Sequence, residues 1–418
     1  MSAPTRPRHR GDRPRLALVL SGGGARGAYE AGVVRYIRED LAGDLGGQVR
    51  FDIISGTSVG GIHACFFAGT ADMADKQGRM LCDRWESFVL EEMVAFGVKE
   101  FLRAPATLLG GGKIEEVEGQ RRLGGIVQTR QLERVVRRLI PWQRISANCK
   151  QGYLESLSVT ATDIGSGKTV VFVERADGQL PQWSKDPFVR AQAVTMGAEH
   201  ALASAALPIL FPAVAVGERF FCDGGLRQNT PLSPALRLGA DKVLVIGLRH
   251  KPKVHDDAVP EESMPFPGAA FLVGKVLDAF LLDHIDYDLD RLRRFNALIQ
   301  AVRTLGTEDG KRFDEVVTKM RGAPYRIVEE FMIRPSADLG EIAGRIARTG
   351  RFKGSGGGTG IQLLRRLATA RGGDEADLLS YILFDGHYAA EVSRLGYEDA
   401  RAQHDELAKF LADSVVHD

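Results

Sequence analysis

Phe51-Asp52-Ile53-Ile54-Ser55-Gly56-Thr57-Ser58-Val59-Gly60-Gly61 runs from an apolar stretch into a turn and continues as Ile62-His63-Ala64-Cys65-Phe66-Phe67-Ala68. The first part has the character of a buried strand and the last that of a helix. Ser58 sits at the apex, with Gly56 and Gly60 two residues to either side. In a sharp strand-to-helix turn, bulky neighbours at those two positions clash as the chain doubles back. The apex residue takes strained backbone that exposes its side chain. Ser58, flanked by Thr57 and Val59, is therefore a candidate nucleophile. A plain turn built from small residues reads the same way, so the partners decide.

Upstream, Leu16-Ala17-Leu18-Val19-Leu20 reads as a strand, followed by Ser21-Gly22-Gly23-Gly24-Ala25-Arg26-Gly27 and a helical pattern from Ala28 to about Asp40. Gly22 to Gly27 fits G-x-G-x-x-G between strand and helix, the dinucleotide-binding pattern. That site also needs an acidic residue at the end of the second strand. Here Asp52 stands near that strand's start and the strand ends in the serine turn, which argues against a dinucleotide. The loop keeps a physical use: its glycines let backbone approach a ligand, and free N–H groups at a helix start attract negative charge. It can hold an oxyanion, with Arg26 as the nearby cation.

Downstream, Arg219-Phe220-Phe221-Cys222-Asp223-Gly224-Gly225 carries a strand into an acidic residue and two glycines suited to a tight turn. Asp223 is either a turn former or a catalytic carboxylate. A serine needs a base, supplied by a histidine in the usual triad. His250, His255, His284 and His387 all follow Asp223, and His250 comes after the apolar strand Lys242 to Leu248. Asp223 could instead act on Ser58 directly, which requires a desolvated site that raises its pKa.

The remaining segments read as an alternation of helices and strands. Met73 to Gly112 is helical and amphipathic, either core packing or a cap over the serine. A helix from Thr129 stops at Pro141, and Leu157 to Thr162 with Thr169 to Val173 forms a hairpin. Ala198 to Ala206 is a small-residue helix before the rigid Pro208 to Pro212 segment, and Pro231 to Leu238 is another helix. This alternation predicts a largely parallel sheet covered on both faces. Beyond His250, Lys251 to Pro267 reads as a linker, followed by helices over Phe271–Leu282, Arg291–Leu305 and Phe313–Met320. A strand over Ile327–Ile333, a glycine-rich joint at Lys353–Gly360 and helices over Ala376–Phe384 and Tyr388–Leu395 complete the chain.

Composition sets the outer bounds. The 418 residues are 44% hydrophobic and 26% charged with a net charge of +1, so nothing global steers the chain toward nucleic acid. Cys65, Cys82, Cys149 and Cys222 match no metal-ligand spacing and read as reduced thiols of a cytoplasmic protein. Met1 to Arg15 has no apolar core of a signal peptide and reads as a disordered basic arm. No stretch reaches the roughly 20 apolar residues of a membrane span, so membrane contact is expected to be peripheral.

Taken together, Gly22–Gly27, Gly56–Gly60 and Asp223-Gly224-Gly225 occur in this order, each at the end of a predicted strand. The set resembles the patatin-like phospholipases, which carry a glycine-rich oxyanion loop, a G-x-S-x-G elbow and a D-G-[AG] motif. The resemblance covers about Leu16 to Leu248. It implies a three-layer α/β/α domain over 16–250 with a mainly parallel sheet, followed by a mostly helical C-terminal extension over 251–418. It also implies hydrolysis of phospholipid or other fatty-acyl esters by a Ser58–Asp223 dyad, with no metal or cofactor. Gly22, Gly23, Gly24, Arg26 and Gly27 would then form the oxyanion loop, and Gly224 and Gly225 the acid turn. Two other readings stand beside this one: a lipid-binding or regulatory protein acting through its C-terminal residues, and a conventional triad hydrolase using His250.

Overall fold

The computed structural model describes residues 13–93, 95–96, 114–117, 120–123, 127–128, 130–181, 183, 186–208, 210–250, 285–321, 324–353 and 379–416. Its centre is a sheet of 11 strands. Glu329–Ile333, Lys242–Ile246, Leu16–Leu20, Ile53–Thr57 and Ser156–Asp163 lie side by side in that order, all parallel. Beyond them the sheet turns antiparallel through Arg219–Asp223, Ala213–Val216, Gln120–Leu123 and Ile114–Val117.

The continuous apolar runs follow from burial on both faces. Leu16, Leu18 and Leu20 point into the larger core, against helices Ala28–Tyr36 and Val59–Gly69. Ala17 and Val19 point into a second core with Leu232 and Leu238 of one helix and Leu289 and Leu292 of another. Leu16–Leu20 therefore has no polar side, and the parallel sheet has helices on both faces as expected.

One register places the elbow and the acid. Strand Ser156–Asp163 offers one edge to the antiparallel strand Thr169–Arg175 along nearly its whole length. On its other edge, Ile53–Thr57 runs parallel up to the pair Thr57–Thr160. Arg219–Asp223 then arrives from the opposite direction and ends at the pair Asp223–Ala161. Two strands thus meet head to head at neighbouring positions of one partner, and the residues at their tips, Ser58 and Asp223, are forced together.

The described C-terminal residues are mostly helical and pack into the same body. Glu329–Ile333 is the edge strand of the sheet, and helix Gly386–Ala402 lies along helix Ala28–Tyr36. At their crossing a Cβ on Gly32 would stand 1.8 Å from the Ser393 carbonyl oxygen, and one on Gly396 2.2 Å from that of Tyr29, so the backbones touch. Tyr29 donates its hydroxyl to Asp399 at 2.8 Å across this contact.

Several expectations are corrected. The run from Met73 begins as two helices, Gln77–Glu86 and the short Leu90–Met93, but does not stay helical. Ala95–Phe96 then pairs as a strand with Val127–Gln128. Its remaining stretch to Gly112 lies outside the described residues. Pro141 does end helix Arg130–Leu139, but a second helix, Trp142–Gln151, begins directly after it. Strand Ala213–Val216 was not expected. Thr129, the first 12 residues, the stretch Lys251 to Pro267, Phe271–Leu282, most of the glycine-rich joint and 376–378 lie outside the described residues. No helix among the described residues is long and apolar enough to cross a membrane.

Candidate active site

Ser58 has φ 57° and ψ −126°, the only non-glycine positive φ among the described residues. Such backbone costs on the order of 1–3 kcal/mol and persists only where its surroundings impose it. Here they do. A Cβ on Gly56 would lie 2.0 Å from the Gly60 carbonyl oxygen, and one on Gly60 2.5 Å from that of Leu20. Both elbow glycines therefore sit where no side chain fits. The Ser58 N–H donates to Ser204 Oγ at 2.8 Å, and Ser204 donates in turn to the Thr160 carbonyl at 2.6 Å. Thr57 Oγ1 donates to the Gln228 carbonyl at 3.0 Å, and Val59 begins the helix behind the turn.

The Ser58 hydroxyl donates to Asp223 Oδ2 at 2.6 Å. The other carboxylate oxygen, Oδ1, accepts the Gly225 N–H at 2.7 Å, within the tight turn Gly224–Leu226. Asp223 is thus turn former and serine partner at once, one oxygen for each. Its side chain is fully buried, and this desolvation pushes its pKa from 3.8 up to about 7, against the opposing pull of the Ser58 and Gly225 hydrogen bonds.

The glycine loop passes next to Ser58. A Cβ on Gly22 would lie 3.0 Å from Ser58 Cβ and 2.3 Å from Asn229 Oδ1. Asn229 brackets Gly22, its carbonyl accepting the Gly22 N–H at 3.0 Å and its amide donating to the Gly22 carbonyl at 3.1 Å. Gly22 therefore has a spacing role, and its N–H is already committed. Gly23 and Gly24 follow, with Gly24 at φ +55°. Gly27 lets the loop rest on Val59, whose Cγ2 would be 2.5 Å from a Cβ there. Arg26 is buried, its Nε donating to Ser380 Oγ at 2.6 Å and its guanidinium lying 4.0 Å from the centroid of the Tyr381 ring.

Neither described histidine named beforehand is placed at the serine. His250 Nδ1 bonds the Pro335 carbonyl at 2.9 Å and His387 Nδ1 the Arg351 carbonyl at 3.2 Å, while His255 and His284 lie outside the described residues. The histidine near the site is His63, one helical turn beyond Ser58. Trp85 donates to its Nε2 at 3.0 Å, which leaves the proton on Nδ1, facing Glu30 Oε2 at 2.7 Å. Burial pushes the His63 pKa down to about 3 and raises that of Glu30, so the ring is neutral, and both ring nitrogens are engaged.

An apolar pocket opens from Ser58, lined by Ile62, Leu81, Trp85, Phe88, Leu207 and Phe384 among others. Ser204, Asn229, His63 and Phe384 belong to the site without any local motif to announce them. Their contacts span 146 residues for Ser204 and 207 for Asn229.

A strained serine at a strand-to-helix turn, a buried carboxylate against it and a glycine loop alongside are thus brought together. The family model for patatin-like phospholipase matches residues 18–236, and the chain belongs to that family. An uncharacterized NTE family protein of Mycobacterium tuberculosis (strain ATCC 25618 / H37Rv) is 28% identical over 252 residues, 59% of this chain and 53% of the relative. Lysophospholipase NTE1 of Mycosarcoma maydis is 36% identical over 88 residues, 19% of this chain and 4% of that one. The chain spans about half the length of the first of these relatives. A solved structure, VipD from Legionella pneumophila, aligns over 95% of this chain and 67% of that one at 12% identity with a TM-score of 0.33.

Proposed function

We propose that the chain is a lipid acyl hydrolase that cleaves fatty-acyl esters, of phospholipase A or lysophospholipase type, through a Ser58–Asp223 dyad. The observation that carries this reading is the 2.6 Å hydrogen bond from the Ser58 hydroxyl to a fully buried carboxylate. A base works best with a pKa near the working pH, and burial moves Asp223 toward that range. Family membership and the lysophospholipase name of a relative support the lipid ester as substrate.

Ser58 Oγ attacks the ester carbonyl as its proton passes to Asp223 Oδ2. The oxyanion develops beside the glycine loop, where the amides of Gly23 and Gly24 precede a helix and can stabilise it. The intermediate collapses, the C–O bond to the alcohol breaks, and the alcohol leaves with the proton held by Asp223. Water then attacks the acyl-Ser58 carbonyl, giving its proton to Asp223, and the fatty acid departs as Ser58 recovers its hydrogen. Throughout, the acyl chain lies in the apolar pocket at the elbow, with Trp85 and Phe88 among its walls. The substrate is met at a membrane surface, by peripheral contact.

The test is hydrolysis of phospholipid, lysophospholipid and short-chain esters by the purified chain beside its Ser58→Ala variant. The account expects fatty acid release that disappears in the variant. Release at the wild-type rate by Ser58→Ala, or none from any ester by the wild type, removes the reading.

A further inference from the structure

Leu379-Ser380-Tyr381-Ile382-Leu383-Phe384-Asp385 lies more than 150 residues beyond the last of the three motifs, yet it crosses the glycine loop. Arg26 donates to Ser380 Oγ and stacks on the Tyr381 ring. Gly24 passes so tightly beneath this segment that a Cβ there would stand 2.1 Å from the Tyr381 carbonyl oxygen. Three residues further on, Phe384 stacks on Trp85, the rings 7° apart in plane and 6.0 Å between centroids, and forms part of the pocket wall.

The far end of the segment is anchored. Asp385 caps helix Gly386–Ala402 by accepting the N–H groups of His387 and Tyr388, and it accepts the Lys353 N–H at 2.7 Å. The Gly386 N–H donates to the Phe88 carbonyl at 2.9 Å. One short strap is therefore pinned to the glycine loop, to the aromatic wall of the pocket and to the C-terminal helix.

We propose that residues 379–385 are a positioning strap for the glycine loop: Ser380 and Tyr381 hold Arg26, and through it the amides of Gly23 and Gly24, where the oxyanion develops. The proposal rests on the hydrolase reading for its chemistry. The physical reason is that φ +55° at Gly24 is one of several conformations open to glycine, so a three-glycine loop does not select its own shape. A buried guanidinium, by contrast, has few orientations that satisfy its donors and its planar face. On this account the C-terminal residues complete the site.

The experiment uses the full chain with Ser380→Ala, Tyr381→Ala and Tyr381→Phe. Each is measured for kcat and KM on p-nitrophenyl butyrate and for amide hydrogen exchange across residues 21–30. Misplaced oxyanion donors cost about 10²-fold. Tyr381→Ala is therefore expected to lower kcat about 10²-fold with KM changed less than about 3-fold. Tyr381→Phe, which keeps the ring face, restores it, and exchange in the loop quickens in the alanine variant alone. Should Tyr381→Ala fail to fold, Ser380→Ala, which removes only one hydroxyl, carries the test with an expected loss of about 10-fold. Unchanged kcat together with unchanged loop exchange overturns the proposal, as does a Tyr381→Phe variant as impaired as Tyr381→Ala. If the wild type hydrolyses nothing, the hydrolase reading fails, while loop exchange still decides whether the strap holds the loop.

Discussion

Replacing Asp223 by Asn should destroy activity and stabilise the protein, with a gain that grows as the pH rises. The folded state holds this carboxyl at about 7 against an ordinary 3.8 because it is fully buried. Each pH unit of displacement is 1.36 kcal/mol, so the charged form is disfavoured by about 4 kcal/mol in the native state. The sign follows from proton counting: between about pH 4 and 7 the folded chain binds more protons at this site than the unfolded one. Stability from Asp223 is therefore present at low pH and lost as pH climbs through 7. Asn carries no charge at any pH and keeps an oxygen for the Gly225 N–H. At about pH 8.5 the variant should be more stable by roughly 2–4 kcal/mol, and at about pH 4 by less than about 1 kcal/mol. For a chain of this length that is a Tm rise of roughly 2–5 °C at the higher pH and about 1 °C or less at the lower. Thermal unfolding of both proteins across this range, beside hydrolysis of a short-chain ester, reads both effects. A stability difference that stays flat or shrinks with rising pH refutes the reasoning, because Asp223 would not then be a desolvated carboxylate.

Three other outcomes follow from the same geometry. The pH profile of kcat/KM should climb about tenfold per unit to a shoulder near 7 and level off above it, since only ionised Asp223 can take the Ser58 proton; a profile flat down to about pH 5 contradicts this. Gly22→Ala places a methyl 2.3 Å from Asn229 Oδ1 and 3.0 Å from Ser58 Cβ. It should cost roughly 1–3 kcal/mol of stability by denaturant titration and most of the activity. Phe384→Ala opens the pocket wall and should move the preferred acyl chain toward greater length in a series of p-nitrophenyl esters, with little change on the shortest.

Much of the site can be read locally because its constraints are local. A serine between two glycines after an apolar run announces an elbow, since the turn itself excludes side chains at Gly56 and Gly60. The alternation of Leu16, Leu18 and Leu20 with Ala17 and Val19 is apolar on both sides, which marks a strand covered twice. What escapes is whatever depends on register or on distant packing. Nothing near Asp223 says that its strand ends against Ala161 while the elbow strand ends against Thr160, yet that coincidence makes the pair. Ser204 and Asn229 are ordinary polar residues until folding sets them against Ser58 and Gly22. Ala213–Val216 has only four residues, too few for periodicity to speak, and Trp142–Gln151 begins where Pro141 signals an end. Arg26 was legible as a cation of the loop, but its partners at Ser380 and Tyr381 lie about 350 residues away and carry no motif.

The most direct test of the central claim is labelling with a fluorophosphonate followed by intact-mass and peptide mass spectrometry. The account predicts a single adduct on Ser58, none in Ser58→Ala, and labelling of Asp223→Asn slowed at least about 10²-fold. An adduct on another residue, or an Asp223→Asn variant labelled as fast as the wild type, contradicts it.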